Sequence, residues 1–119
     1  MKTRKSTKSP IVSFLKILHV IKLYHWNTKS FSQHKATDEL HSKLSELIDS
    51  YMEKYMGSHG RVPVNTSIPL RHHTSEEFIR EINGFRSMLF QLKSTPDLDN
   101  IRDEMIGEVD QFLYLWTLR

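Results

Sequence analysis

The chain has 119 residues, 38% of them hydrophobic, which is enough for one domain with a modest core. It contains no cysteine, which excludes a disulfide framework, a zinc ribbon and a thiol nucleophile. The net charge of +3 is unevenly spread: Lys2, Arg4, Lys5 and Lys8 supply four positive charges, leaving the remainder of the chain at −1.

The basic character therefore belongs to a tail. Residues 1–9 have no large apolar side chain after Met1, so they read as a disordered basic segment preceding a domain at 10–119. A basic start followed by an apolar run has the outline of a signal peptide. Lys16, His19 and Lys22 break that run, however, and no small-residue cleavage site follows. No stretch approaches the ~20 apolar residues of a membrane span, so the reading is a protein without a membrane segment.

Ser9-Pro10 is a helix start, with serine able to cap and proline at the first helical position, where its missing N–H costs nothing. Val12, Leu15, Leu18 and Ile21, with Ile11, Phe14 and Ile17, and then Tyr24 recur at helical spacing, and this first helix ends near residues 27–30. His19 lies within it and reads as a hydrogen-bonded interior or interface residue. Trp26 at its end, like Trp116 near the C-terminus, reads as a packing anchor.

A second helix begins near Ser32 and runs to Met56, with Gly57 as the terminating residue. Leu40, Leu44, Leu47, Ile48, Tyr51 and Tyr55 form its core face. Residues 58–73, with one glycine and two prolines, have no helical period. So long a loop in a compact domain needs a reason. A crossover along a bundle supplies one, since such a segment spans up to roughly 50 Å. His59, His72 and His73 in this stretch read as exposed loop residues.

Thr74-Ser75-Glu76-Glu77 matches a capping box, and Phe78, Ile82, Phe85, Leu89 and Leu92 make the stripe of a third helix. Thr95-Pro96-Asp97 starts a fourth, with Leu98, Ile101, Met105, Val109, Phe112 and Trp116 inward; Asp103, Glu104 and Glu108 read as its solvated face. Short turn, long crossover, short turn is the connectivity of an all-α, ferritin-like four-helix bundle.

One stripe carries chemistry. On helix two, His34, Asp38, Asp49 and Glu53 fall at about 0°, 40°, 60° and 100° around the axis, apart from the apolar arc at about 220° to 320°. His41, Ser45, Met52 and Met56 share this face. His34 and Asp38 lie about 16 Å or more along the axis from Asp49 and Glu53, so one chain cannot close both pairs around one ion. Two copies packed antiparallel about a two-fold axis can, making two identical sites. Imidazole and carboxylate ligands suit iron, manganese or zinc, and iron best for oxygen chemistry.

The run Tyr24-His25-Trp26-Asn27-Thr28-Lys29-Ser30, followed by Phe31, His34, Asp38, Asp49 and Glu53, resembles the Dps mini-ferritins over about residues 23–57. The likeness is to the short virus- or phage-encoded members. It implies a further metal ligand, His25, donated by the first helix, and a ferroxidase centre shared across a homodimer or a larger shell. It also implies Fe(II) oxidation for iron storage and oxidative protection, in the host cytoplasm or the virion. Three departures stand out: the His25–His34 interval is shorter than the family pattern, the chain is short, and 58–73 has no sign of the small crossover helix. Lys2, Arg4, Lys5 and Lys8 form a candidate DNA-phosphate contact, as do the tails of some Dps proteins. The alternative readings are a non-catalytic bundle, structural or virion-borne, and a nucleic-acid-associated protein acting through its tail.

Overall fold

The computed structural model describes residues 9–118. Residues 1–8 of the expected disordered segment, and with them Lys2, Arg4, Lys5 and Lys8, lie outside the described residues; Ser9, its last residue, is described and bonds the start of the first helix. Within them there are four helices: α1 (Ile11–Asn27), α2 (Phe31–His59), α3 (Ser75–Gln91) and α4 (Pro96–Trp116). No strand occurs among the described residues.

Each helix start has a local cause. Ser9 Oγ accepts from Ile11 N–H at 3.1 Å, and Ser30 Oγ accepts from Gln33 N–H at 3.2 Å. Thr74 and Glu77 form the capping box, at 3.1 Å and 3.0 Å for its two bonds. Proline opens α4. The end of α2 differs from the sequence reading. The helix passes through Gly57 and stops at His59, because Gly60, at φ 94°, is the residue that turns the chain out. In the extra turn the His59 ring stacks on Tyr55 at 4.2 Å.

The helices close a ring in which α1 and α4 each pack against α2 and α3, while α1 and α4, like α2 and α3, sit at opposite corners. Phe14, Ile17 and Ile21 of α1, Leu40, Leu44 and Tyr51 of α2, Phe78, Ile82 and Leu89 of α3, and Leu98, Met105 and Val109 of α4 fill the centre. A buried leucine such as Leu44 contributes about 2–5 kcal/mol against truncation to alanine.

Contacts along the helices set their directions. The three-residue turn 28–30 makes α1 and α2 antiparallel. Tyr24 stacks on Phe78 at 4.3 Å and Phe14 meets Phe85 at 6.3 Å, so α3 also runs against α1. It follows that α2 and α3 point the same way, with residues 60–74 joining the end of one to the start of the other. No backbone–backbone hydrogen bond joins residues 61–73 to any other of the described residues.

Several side chains sit differently from the sequence reading. His19 is exposed rather than interior, and Trp26 is 69% exposed rather than an anchor. Trp116 does pack, in an aromatic group with Tyr24, Phe78 and Phe112. Met52 is buried and Met56 packs against the core, because α2 meets both α1 and α4 and its apolar arc is wider than a single face. No helix among the described residues is long and apolar enough to cross a membrane.

Candidate functional site

The α1–α2 turn builds the core of the site. Tyr24 Oη and Thr28 Oγ1 both donate to Gln33 Oε1, at 2.8 Å and 2.9 Å, tying the end of α1 to the first turn of α2. This brings the His25 and His34 rings into a stack at 3.8 Å between centroids, tilted by 18°. His25 is buried and His34 exposed. Each ring then bonds the other's main chain: His25 Nδ1 donates to the His34 carbonyl at 2.8 Å, and His34 Nδ1 donates to the His25 carbonyl at 3.0 Å.

This reciprocity decides the tautomer. A carbonyl oxygen can only accept, so both Nδ1 atoms carry the proton and each neutral ring keeps a lone pair on Nε2. Neither Nε2 makes a hydrogen bond among the described residues. Imidazoles held through Nδ1 with Nε2 free are in the state that ligates a metal.

The carboxylates extend along the same helix. Asp38, Asp49 and Glu53 are all exposed, and none forms an ion pair among the described residues. Leu15, Leu18, Lys22, Asp38, His41 and Asp49 line an open groove of about 620 Å³ between α1 and α2. Burial and then the Lys22 ammonium hold the His41 imidazole below its ordinary value, with Asp38 opposing.

The structure thus brings His25 and His34 together, with Asp38 one turn on. Within one chain it does not bring Asp49 and Glu53 to them, and no group of three such ligands converges among the described residues. The donor types present, imidazole nitrogen and carboxylate oxygen, suit iron, manganese or zinc if a second copy supplies the missing carboxylates. Residue spacing alone did not link His25 to His34; the usable signals were the turn residues Thr28 and Ser30 and the cross-linking Gln33.

Other histidines stand apart. His72 and His59 are exposed as read from the sequence. His73 is buried, contrary to that reading, with Nδ1 at 3.4 Å from Arg71 Nη1 and 3.8 Å from Glu77 Oε1, because the capping box holds Glu77 beside it. On α4, Asp103 and Glu104 are exposed, and Glu108 pairs with Lys43 at 3.7 Å.

These features define an all-α four-helix protein whose second helix exposes a row of imidazole and carboxylate groups. The chain belongs to the family of unknown function DUF5856, whose model matches residues 25–116 and so takes in the whole row. It is similar to the uncharacterized 14.6 kDa protein in the mobD-ri intergenic region of Enterobacteria phage T4. The two are 32% identical over 96 residues, spanning 79% of this chain and 74% of that protein. No solved structure matches.

Proposed function

We propose that the protein is a Dps-like iron-binding protein that oxidises Fe(II) at a site shared between two subunits, serving iron storage and oxidative protection. The observation that carries the reading is the His25–His34 pair, whose locked Nδ1 atoms leave both Nε2 lone pairs available beside exposed Asp38. In an antiparallel dimer of α2, His25, His34 and Asp38 of one subunit face Asp49 and Glu53 of the other. Fe(II) is the substrate: each ion gives up one electron, which peroxide or dioxygen accepts, while the protein holds the ligands. Zinc or manganese can take the place of iron in binding.

The architecture agrees with a ferritin-like bundle. α2 and α3 run in the same direction at opposite corners, so 60–74 serves as the crossover that carries the chain back along the bundle. The outer face of α1 and α2 leaves Val12, Leu15 and Phe31 exposed, apolar area suited to a second copy. The tail cations Lys2, Arg4, Lys5 and Lys8, multiplied in an assembly, supply a DNA-phosphate contact. The relative in phage T4 supports a location in the host cytoplasm or the virion.

A non-catalytic bundle that uses the row as a polar dimer seam is the second reading, favoured by the lack of three converging ligands within one described chain. Aerobic Fe(II) oxidation, followed by ferric absorbance in the near ultraviolet, separates the two. The expected result is oxidation faster than in buffer, lost in both Asp38→Ala and Glu53→Ala. Oxidation no faster than in buffer would leave the second reading.

A further inference from the structure

Apart from the core residue Tyr51, three polar side chains are buried among the described residues: His25, Thr37 and His73. Two of them touch. Thr37 is fully buried on the second turn of α2, and its Oγ1 lies 3.2 Å from His25 Nδ1.

A threonine inside a helix ordinarily satisfies its hydroxyl on a carbonyl of the preceding turn and needs no other partner. Thr37 does this, donating to the Gln33 carbonyl at 2.8 Å, with the His34 carbonyl at 3.1 Å as the alternative. Either choice uses the single hydroxyl proton. What remains on Oγ1 is lone pairs, and these face His25 Nδ1. The imidazole therefore meets two acceptors at once, the His34 carbonyl at 2.8 Å and the Thr37 hydroxyl oxygen at 3.2 Å.

That arrangement penalises the ring's other neutral tautomer and its flipped orientation. In the other neutral tautomer, or after a ring flip, the group facing the two oxygens cannot donate. The buried acceptors would then oppose a lone pair or a carbon. His34 lacks such a second acceptor: its Nδ1 meets the His25 carbonyl alone, and the ring is exposed. His25 is thus the more firmly held of the two.

We propose that Thr37 is the positioning residue for His25, holding its ring as the Nδ1–H tautomer with the Nε2 lone pair turned to the metal ligands' side. The inference rests on the shared metal site proposed above, and it assigns a role to a residue that is not itself a metal ligand. Outer partners of this kind change metal affinity about 10-fold to 100-fold when removed.

The test uses the full chain, nitrogen NMR of its imidazoles without metal, and titration with Co(II) followed by its visible bands. Thr37→Val is nearly isosteric and removes the acceptor, whereas Thr37→Ser keeps it. Expected are loss of the single Nδ1–H signature of His25 in Thr37→Val, a Co(II) affinity at least about 10-fold weaker, and recovery of both in Thr37→Ser. Should Thr37→Val lose its helix content, Thr37→Ala removes the hydroxyl without a branch to bury and replaces it in both measurements. A merely structural threonine would lower the melting temperature and leave the His25 tautomer unchanged, which overturns the proposal. Unchanged Co(II) affinity in a variant whose tautomer has changed overturns it too, and leaves the metal site standing. If the unsubstituted chain binds no Co(II), the metal site falls, and the tautomer comparison alone decides the role of Thr37.

Discussion

Glu77 is where a single side chain ties local structure to pH. Its carboxylate accepts from Thr74 N–H at 3.0 Å and lies 3.5 Å from Arg71. The hydrogen bond first, and the guanidinium after it, hold its pKa below the ordinary 4.5. A depressed folded-state value means that the stabilisation is complete above 4.5 and is lost as pH falls through the lower folded value. The melting temperature of the unsubstituted chain should therefore exceed that of Glu77→Gln at neutral pH. The gap should close in acid, where both side chains are neutral; a gap independent of pH would contradict this origin. This capping box was legible in the sequence because its partners are three residues apart. The His25–His34 stack was not, since it depends on how a three-residue turn and the Gln33 cross-link orient two helices. Tyr51 was legible as core, but not the fact that its hydroxyl is buried without a partner among the described residues; burial pushes its pKa up to about 12 and keeps it protonated.

At the scale of the helix, two glycines three residues apart have opposite roles. Gly57 lies inside α2, where an added Cβ meets nothing within 4 Å. Gly60 has φ 94° and ψ 170°, an extended positive-φ conformation that costs L side chains about 1–3 kcal/mol. Gly57→Ala should accordingly stabilise the protein by about 0.5–1 kcal/mol, and Gly60→Ala should destabilise it by about 1 kcal/mol or more. Chemical denaturation of the two variants measures both signs, and equal signs would refute the assignment of the helix end. Sequence pattern alone could not choose between these glycines, because the sign of φ is not written in the residue type. The helices themselves were readable throughout, from Ser9-Pro10 to Thr95-Pro96, since each start carries a local signal, a side-chain cap at α2 and α3 and a proline at α1 and α4. The apolar arc of α2 was underestimated at Met52 and Met56 for a tertiary reason: a helix between two neighbours buries more than one face.

For the whole molecule, the proposed site has a consequence that only an assembly can display. Asp38→Ala and Glu53→Ala each remove a ligand from both sites of a homodimer, so each variant alone should bind no metal. If the two residues meet across an antiparallel pair, a mixed dimer holds both defects in one site and leaves the other intact. Mixing the two inactive variants with free subunit exchange should then restore binding to about a quarter of all sites. Metal content after mixing measures this, and no recovery despite demonstrated exchange would place the two carboxylates in different sites.

Residues 61–73 join the two helix hairpins without a single backbone–backbone hydrogen bond among the described residues. Cohesion and covalent continuity are thereby separated: helix packing holds the bundle, and the strap only keeps its halves on one chain. The entropic cost of a flexible loop grows by only about 0.6 kcal/mol for each doubling of its length. The strap is therefore where this protein has latitude to lengthen, to take in foreign sequence or to carry an extra recognition element. The α1–α2 turn has none, because there a change of one residue would separate the two imidazoles.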